Sequence, residues 1–118
     1  MYKILVVDDE PNVRNVLKQM IEKRGYIVKV AENGADAIEK FKKEDFDLVV
    51  TDIKMPILDG FHVLTKVKEL KPKTPVIFIT AYGAKEVVIE AMKLGLSDYI
   101  EKPFNMAEVL EIIEKQLK

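Results

Sequence analysis

LVVTD at residues 48–52 is a short apolar run that ends on a carboxylate. A valine-rich run of this length, bounded by polar residues, is typical of a β-strand buried on both faces of a sheet. Two more runs share the pattern: ILVVDD at 4–9 ends on two aspartates, and VIFIT at 76–80 ends on a threonine. Because open α/β sheets bind their ligands at the carboxyl ends of strands, the sequence predicts that these polar residues meet at one edge.

Helical and strand patterns alternate along the chain, which predicts right-handed βαβ units and a parallel sheet covered on both faces. The predicted strands are 4–7, 26–31, 48–52, 76–79 and 97–101. The predicted helices run from Pro11 to Gly25, through 35–41, from Gly60 to Lys71, from Ala84 to Leu94 and from Asn105 to Leu117. The expected fold is α/β, a flavodoxin-like doubly wound sheet of five parallel strands in the order 2-1-3-4-5, with five helices. Strand 26–31 is the least apolar and is expected at an edge of the sheet.

The helix ends carry further signals. Pro11 suits the first turn of helix one, and Asp9 is its expected cap. NG at 33–34 is also typical of a hairpin, but the helical spacing after it favours a strand-to-helix turn. The apolar face of helix one is predicted to hold Val13, Val16, Leu17, Met20 and Ile21, and that of helix five Met106, Val109, Leu110, Ile113 and Leu117.

Composition limits the classes of protein that need to be considered. The 118 residues suit one domain, 1–118, and a chain that is 48% hydrophobic and 33% charged is expected to fold. A net charge of −1 gives no electrostatic reason to expect binding to nucleic acid or to a membrane. The absence of cysteine excludes disulfides and thiolate metal sites. No run suits a signal peptide core or a membrane span, so a cytoplasmic location is expected.

The predicted strand order reverses between strands one and three, where Asp8, Asp9 and Asp52 converge. Carboxylates this close repel one another unless a cation neutralises them, and Mg²⁺ (or Mn²⁺) prefers such oxygen ligands. With the ion bound, one carboxylate can attack phosphorus. Phosphoryl transfer then needs charge stabilisation, for which Lys102 supplies a cation and Thr80 a hydroxyl donor.

Each of these residues also has a simpler explanation. Asp8 and Asp9 precede a helix and suit capping, and Asp52 suits the start of a turn. Thr80 favours a strand by propensity, and Lys102 suits an exposed loop. Their joint position at the ends of separately predicted strands favours a functional site.

Four motifs occur together: LVVDDE at 5–10, TDIKMPILDG at 51–60, TAYG at 80–83 and EKPF at 101–104. With this combination the chain resembles, from end to end, the receiver (CheY-like) domains of response regulators in two-component and phosphorelay signalling. The resemblance implies a signalling module that catalyses its own phosphorylation and dephosphorylation and turns over no external substrate. Its partners would be a histidine kinase or a histidine phosphotransfer protein, and an effector protein or fused output domain. A monomer or a phosphorylation-dependent dimer is expected.

The resemblance also implies roles for single residues. Asp52 would be the phospho-acceptor, and Mg²⁺ would be bound by Asp8, Asp9, Asp52 and the backbone carbonyl of Lys54. Thr80 and Lys102 would contact the phosphoryl oxygens.

Thr80 would also act with Tyr99 as a switch, because phosphorylation would draw Thr80 inward and vacate space for the Tyr99 ring. The signal would emerge on the face of helix four, strand five and helix five. The Lys102–Pro103 peptide is expected to be cis. Ile112 is expected off the apolar stripe of helix five, where it would face a partner.

His62 is the only histidine in the sequence, has no acidic or histidine cluster near it that would form a metal site, and is predicted to be a solvated helix residue. The phosphodonor histidine is therefore expected on another protein. By resemblance, the donor would dock over a surface made of Asn12, Val13, Val16, Pro103 and Phe104. Core packing is the simpler explanation for both valines.

The sequence bears on three alternatives. The chain is also consistent with the receiver part of a larger DNA-binding transcriptional regulator. A hydrolase of the aspartyl-phosphate type would need an acid at the position of Lys54, and a flavin carrier would not place DDE at 8–10 against a phosphate. Neither a P-loop nor a basic patch is present.

Lys54 and Tyr82 lie two residues beyond Asp52 and Thr80, where the family's side chains flank the path of attacking water. The same pair of residue types occurs in the sporulation phosphorelay receiver, whose phosphorylated form is long-lived.

We predict slow self-dephosphorylation, because the side chains of Lys54 and Tyr82 obstruct the attacking water. The double substitution Lys54→Asn with Tyr82→Glu should shorten the lifetime of the phosphorylated chain, measured as phosphate loss with Mg²⁺ present. A wild-type lifetime of seconds would contradict the prediction.

Overall fold

The computed structural model describes residues 1–81 and 83–117, along which strands and helices alternate. The strands are β1 (Lys3–Val7), β2 (Ile27–Ala31), β3 (Leu48–Asp52), β4 (Val76–Thr80) and β5 (Asp98–Glu101). The helices are α1 (Pro11–Glu22), α2 (Gly34–Lys43), α3 (Gly60–Leu70), α4 (Lys85–Lys93) and α5 (Met106–Leu117). Every predicted element is present, and the boundaries differ from the prediction by a few residues at most.

The strands form one parallel sheet in the order β2-β1-β3-β4-β5. This order confirms the predicted doubly wound fold and places β2 at an edge. The chain leaves β1 toward β2 but leaves β3 toward β4, so the winding reverses between β1 and β3. Val7 pairs with Thr51 in this register, which brings Asp8 beside Asp52.

The core lies in two layers, one on each face of the sheet. Because successive residues of a strand point to opposite faces, β1 sends Leu5 and Val7 into one layer and Ile4 and Val6 into the other. Both faces of the central strands are therefore buried, which explains why the strands are continuous apolar runs rather than alternating ones.

The ends of the helices confirm most of the predictions made from capping and first-turn residues. Pro11 begins α1, and the side chains of Asn33 and Asn105 each accept a hydrogen bond from an amide in the first turn of the next helix. The prediction that Asp9 caps α1 is wrong. Glu10 occupies the cap position, and the carboxylate that turns toward the helix is that of Asp8, which accepts from the Glu10 amide at 2.9 Å.

Two residues predicted on apolar helix faces are exposed instead. Val16 is 50% exposed, because α1 packs through a narrower stripe made of Leu17, Met20 and Ile21. Met106 is 47% exposed, because it begins α5 one turn ahead of the buried residues of that helix. No helix in the described part of the chain has the length and apolar character needed to cross a membrane.

The packing of β4 predicts where the fold is most sensitive. Phe78 is fully buried, and its ring meets that of Phe61 edge-on with centroids 5.4 Å apart. Phe78→Ala should lower the free energy of unfolding by about 3–5 kcal/mol, because it leaves a cavity. Ile89→Ala, at a position 55% exposed, should change it by less than about 0.5 kcal/mol. Urea unfolding followed by circular dichroism measures both, and equal losses would contradict the packing described here.

Candidate functional site

Three acidic side chains meet at the carboxyl edge of the sheet, at the point where the strand order reverses. Asp8 follows β1, Asp52 ends β3, and Asp9 stands beside them in the β1–α1 turn. One carboxylate oxygen of each lies within 4.8 Å of the others. Asp8 is fully buried, Asp52 is half-buried and Asp9 is exposed, so the cluster is open to solvent on one side.

The buried carboxylate of Asp8 is only half satisfied. Its Oδ1 accepts from the Glu10 amide, whereas its Oδ2 is buried and has no hydrogen-bond partner among the described residues. Burial raises the pKa of Asp8 from 3.8 to about 6, with a further contribution from the charge of Asp52. Burial also raises the pKa of Asp52, against the lowering effect of Lys102. Clustered carboxylates with a free buried oxygen fit a hard divalent cation such as Mg²⁺.

A cation of the chain itself already faces the acids. The Lys102 Nζ lies 3.4 Å from Oδ2 of Asp52, whose Oδ1 accepts from the Ile53 amide at 2.8 Å. Lys102 is placed by its own amide, which donates to the carbonyl of Thr80 at 2.8 Å. The Lys102–Pro103 peptide is cis, as the resemblance implied.

A cavity of about 370 Å³ opens between these residues. Its lining includes Asp9, Asp52, Lys54, Thr80, Val87 and Lys102. Thr80 is buried at the end of β4, and its hydroxyl donates to the Ala81 carbonyl at 3.3 Å. The structure therefore brings Asp9, Asp52, Lys102 and Thr80 to one cavity, and the buried carboxylate of Asp8 lies beside those of Asp9 and Asp52.

Tyr99 and Ile112, predicted for switching and for partner contact, do not line this cavity. Tyr99 is half-buried and packs on the core beside Phe78, its partner in the register of β4 and β5. Ile112 is also half-buried and packs on the other layer, so its side chain is less available to a partner than predicted. Tyr82 lies outside the described residues.

The residues predicted for donor docking lie on α1 and on the β5–α5 connection. Asn12, Val16 and Pro103 are exposed. Val13 and Phe104 are half-buried and pack against the core. Core packing alone therefore accounts for Val13 but not for Val16.

Two features were not predicted from the sequence. The Arg14 guanidinium donates to the backbone carbonyl of Asp8 at 2.9 Å and fixes the turn that carries Asp8 and Asp9. His62 is exposed, as predicted, but it also forms a capping box that begins α3: its amide donates to the Asp59 carboxylate at 3.2 Å, and its Nδ1 accepts from the Asp59 amide at 3.3 Å. The DxxH spacing was the available signal for this box, although Glu or Gln usually takes the place of histidine.

The loop from β3 to α3, residues 53–59, contains two consecutive non-glycine residues in the left-handed region. Ile57 has φ 51° and Leu58 has φ 65°. Such conformations cost about 1–2 kcal/mol per residue, and a β-branched side chain is especially rare there. Contacts elsewhere must therefore hold this loop in place.

The family model described as "Response regulator receiver domain" matches residues 4–114. The chain belongs to this family. Receiver domains are signalling modules whose general function is phosphorylation on an aspartate with Mg²⁺, and they interact with histidine kinases and effector domains.

Known relatives of this receiver domain occur both alone and within longer proteins. It is 41% identical over 117 residues to the chemotaxis protein CheY of Bacillus subtilis, covering 98% of each chain. It is 38% identical over 116 residues to the regulatory protein AtoC of Escherichia coli, covering 98% of this chain but 25% of AtoC. Among solved structures, the response regulator TrrA of Thermotoga maritima, in complex with Mg²⁺ and BeF, is 38% identical with a TM-score of 0.90. That match covers 99% of this chain and 100% of TrrA.

The raised pKa of Asp8 predicts an unusual pH dependence. The folded chain holds this proton more tightly than the unfolded chain does, so the stability contributed by Asp8 falls as pH rises from about 4 to about 6. Without metal, the wild type should lose about 2 kcal/mol more unfolding free energy than Asp8→Asn between about pH 4.5 and about pH 7.5.

Urea unfolding in a chelating buffer measures this difference. Addition of Mg²⁺ at neutral pH should restore stability to the wild type but not to Asp8→Asn, because the ion binds only the native cluster. Equal pH dependence in the two proteins would show that the Asp8 carboxylate is not disfavoured in the folded state.

Proposed function

We propose that Asp52 accepts a phosphoryl group from a phosphohistidine of a histidine kinase or histidine phosphotransfer protein. The observation that carries the proposal is the approach of the Lys102 ammonium, 3.4 Å from Asp52, to a carboxylate that two other acids crowd. A plain cap or turn would not need a cation from the connection that follows β5. The chain would turn over no external substrate, and its location would be cytoplasmic.

The chain's own residues would do most of the chemistry. A carboxylate oxygen of Asp52 forms the new bond to phosphorus while the bond from phosphorus to the histidine nitrogen breaks, and that nitrogen keeps the electron pair. Lys102 and the hydroxyl of Thr80 stabilise the negative charge on the transferring oxygens. Asp8, Asp9, Asp52 and the Lys54 carbonyl would hold Mg²⁺ (or Mn²⁺). When bound, the ion supplies positive charge that lets the acids stay ionised together.

The phosphorylated state would be sensed by Thr80. Its hydroxyl now donates to the Ala81 carbonyl, and a phosphoryl group on Asp52 would offer a stronger, charged acceptor. Movement of Thr80 would free space beside β5 for the ring of Tyr99, which shifts a pre-existing equilibrium.

The output face would be formed by α4, β5 and α5. Three large apolar side chains on its helices are well exposed: Ile89, Met92 and Met106. Ile89 and Met92 are one turn apart on α4, and exposed apolar groups on one helix face favour a protein partner. The donor protein would instead dock over Asn12, Val13, Val16, Pro103 and Phe104, where the exposure of Val16 supports a contact surface.

The effector is a separate protein or a fused output domain. The alternative that this is the receiver fragment of a larger DNA-binding regulator is favoured by one observation, the match to only 25% of AtoC. The domain would be a monomer or a phosphorylation-dependent dimer that itself binds neither nucleic acid nor membrane. The likeness to the sporulation phosphorelay receiver rests on Lys54 and Tyr82, and it stays a prediction.

Incubation with acetyl phosphate and Mg²⁺, followed by intact mass measurement, tests the acceptor. The wild type should gain the mass of one phosphoryl group, and Asp52→Ala should gain none because the attacking oxygen is gone. Asp45→Ala is the matched control, since Asp45 is a highly exposed aspartate on the α2–β3 connection. Equal gain by Asp52→Ala, or none by the wild type, would refute the proposed function.

A further inference from the structure

The β3–α3 loop connects the proposed acceptor Asp52 to α3 and carries Lys54, whose carbonyl is proposed to bind the ion. Its strained residues, Ile57 and Leu58, lie toward its far end. Neither residue is glycine or asparagine, so local sequence preference does not explain the left-handed conformation. The loop must be held by contacts with other elements, and the structure shows which.

Two glycines mark the closest approaches of this loop to its neighbours. A Cβ on Gly60 would lie 2.6 Å from the carbonyl oxygen of Asp52, and the Gly60 amide donates to the Ile53 carbonyl at 2.7 Å. These contacts close the base of the loop. They are local, because Gly60 directly follows the loop.

The second approach is made by α2, which is distant in the sequence. A Cβ on Gly34 would overlap the carbonyl oxygen of Leu58 and lie 2.6 Å from its carbonyl carbon. The next amide, that of Ala35, donates to the Ile57 carbonyl at 3.2 Å. The first turn of α2 therefore holds both strained residues, one by a hydrogen bond and one by direct backbone contact.

The helix end that makes these contacts is itself fixed. The side chain of Asn33 accepts from the Asp36 amide at 2.8 Å and caps α2, and Gly34 is buried. α2 also packs against α3, the helix that follows the loop. Lys54 thus lies between two anchored points, the closed base at Ile53 and the contact with α2.

We propose that Gly34 is a positioning residue for the phosphorylation site: its close contact with Leu58 holds the strained β3–α3 loop so that the Lys54 carbonyl stays in place for the divalent ion. Gly34 touches neither the ion nor the phosphoryl group. This inference rests on the proposed function. It extends the site to an element, α2, that lines no part of the acidic cavity.

Gly34→Ala tests the contact directly. The added methyl group must push the loop away, so we expect Mg²⁺ to bind at least fivefold more weakly, measured by isothermal titration calorimetry with Mg²⁺ alone. The rate of phosphorylation by acetyl phosphate at limiting Mg²⁺ should fall in proportion and recover when Mg²⁺ is raised. Gly25→Ala is the matched control: its φ of 90° makes alanine strained, but no described heavy atom lies within 4 Å of the new Cβ. It should lose stability yet bind Mg²⁺ like the wild type.

Leu58→Gly provides a second, independent test in case Gly34→Ala folds poorly. It relieves the left-handed strain and adds no atom, but it keeps the backbone carbonyl that meets Gly34. The variant should therefore bind Mg²⁺ within a factor of two of the wild type. A variant that folds but binds Mg²⁺ at least fivefold more weakly would show that the contact with Gly34 does not hold the loop.

The outcomes separate this inference from the function on which it rests. If the wild type binds Mg²⁺ and is phosphorylated while Gly34→Ala binds Mg²⁺ within a factor of two of it, or Leu58→Gly binds it at least fivefold more weakly, the positioning role is refuted alone. If Gly25→Ala weakens binding as much as Gly34→Ala, the effect is general destabilisation and the inference fails. A wild type that binds no Mg²⁺ refutes the proposed function and this inference with it.

Discussion

Three carboxylates share one partly buried edge of the sheet, where their negative charges repel one another. Asp8, Asp9 and Asp52 place carboxylate oxygens within 4.8 Å of one another at a partly buried edge. Such an arrangement is unfavourable without a cation. Burial raises the pKa of Asp8 to about 6, and the charge of Asp52 adds to the effect. Unfavourable clusters of this kind are typical of functional sites. Binding of Mg²⁺ and phosphorylation of an aspartate, the general function of receiver domains, would explain this one. Lys102 supplies a fixed part of the compensating charge and reaches it from the opposite side of β4.

The parallel sheet itself brings the acids of this cluster together. Register alone brings the residue after β1 beside the end of β3, and the amide of Lys102 is tied to the end of β4. Close-packed apolar layers on both faces hold the strands rigid, so the site residues at the strand ends are held in fixed positions. The loops at this edge are less constrained by the sheet. They are fixed by a few specific contacts, such as Arg14 to the Asp8 carbonyl and the first turn of α2 to the carbonyls of Ile57 and Leu58.

Sequence patterns predicted the strands, their order and the convergence of the acids because buried parallel strands are continuous apolar runs with polar ends. The sequence patterns did not predict features that depend on contacts with other parts of the fold. The exposure of Val16 depends on which part of the helical stripe meets the sheet, and the cap of α1 depends on how the chain turns at Asp8. The left-handed backbone at Ile57 depends on a contact from α2, which local propensity cannot register. The roles of single residues came from the family resemblance, and they stay predictions.

On the proposed function, the acid cluster makes one particular carboxylate, that of Asp52, accept a phosphoryl group. To identify the acceptor, the phosphorylated chain is reduced with borohydride, which converts an aspartyl phosphate to homoserine, and the converted residue is located by peptide mass spectrometry. We expect conversion at position 52 alone, and only when Mg²⁺ was present. Conversion at position 8 or 9, or conversion that does not depend on the ion, would contradict the proposed function.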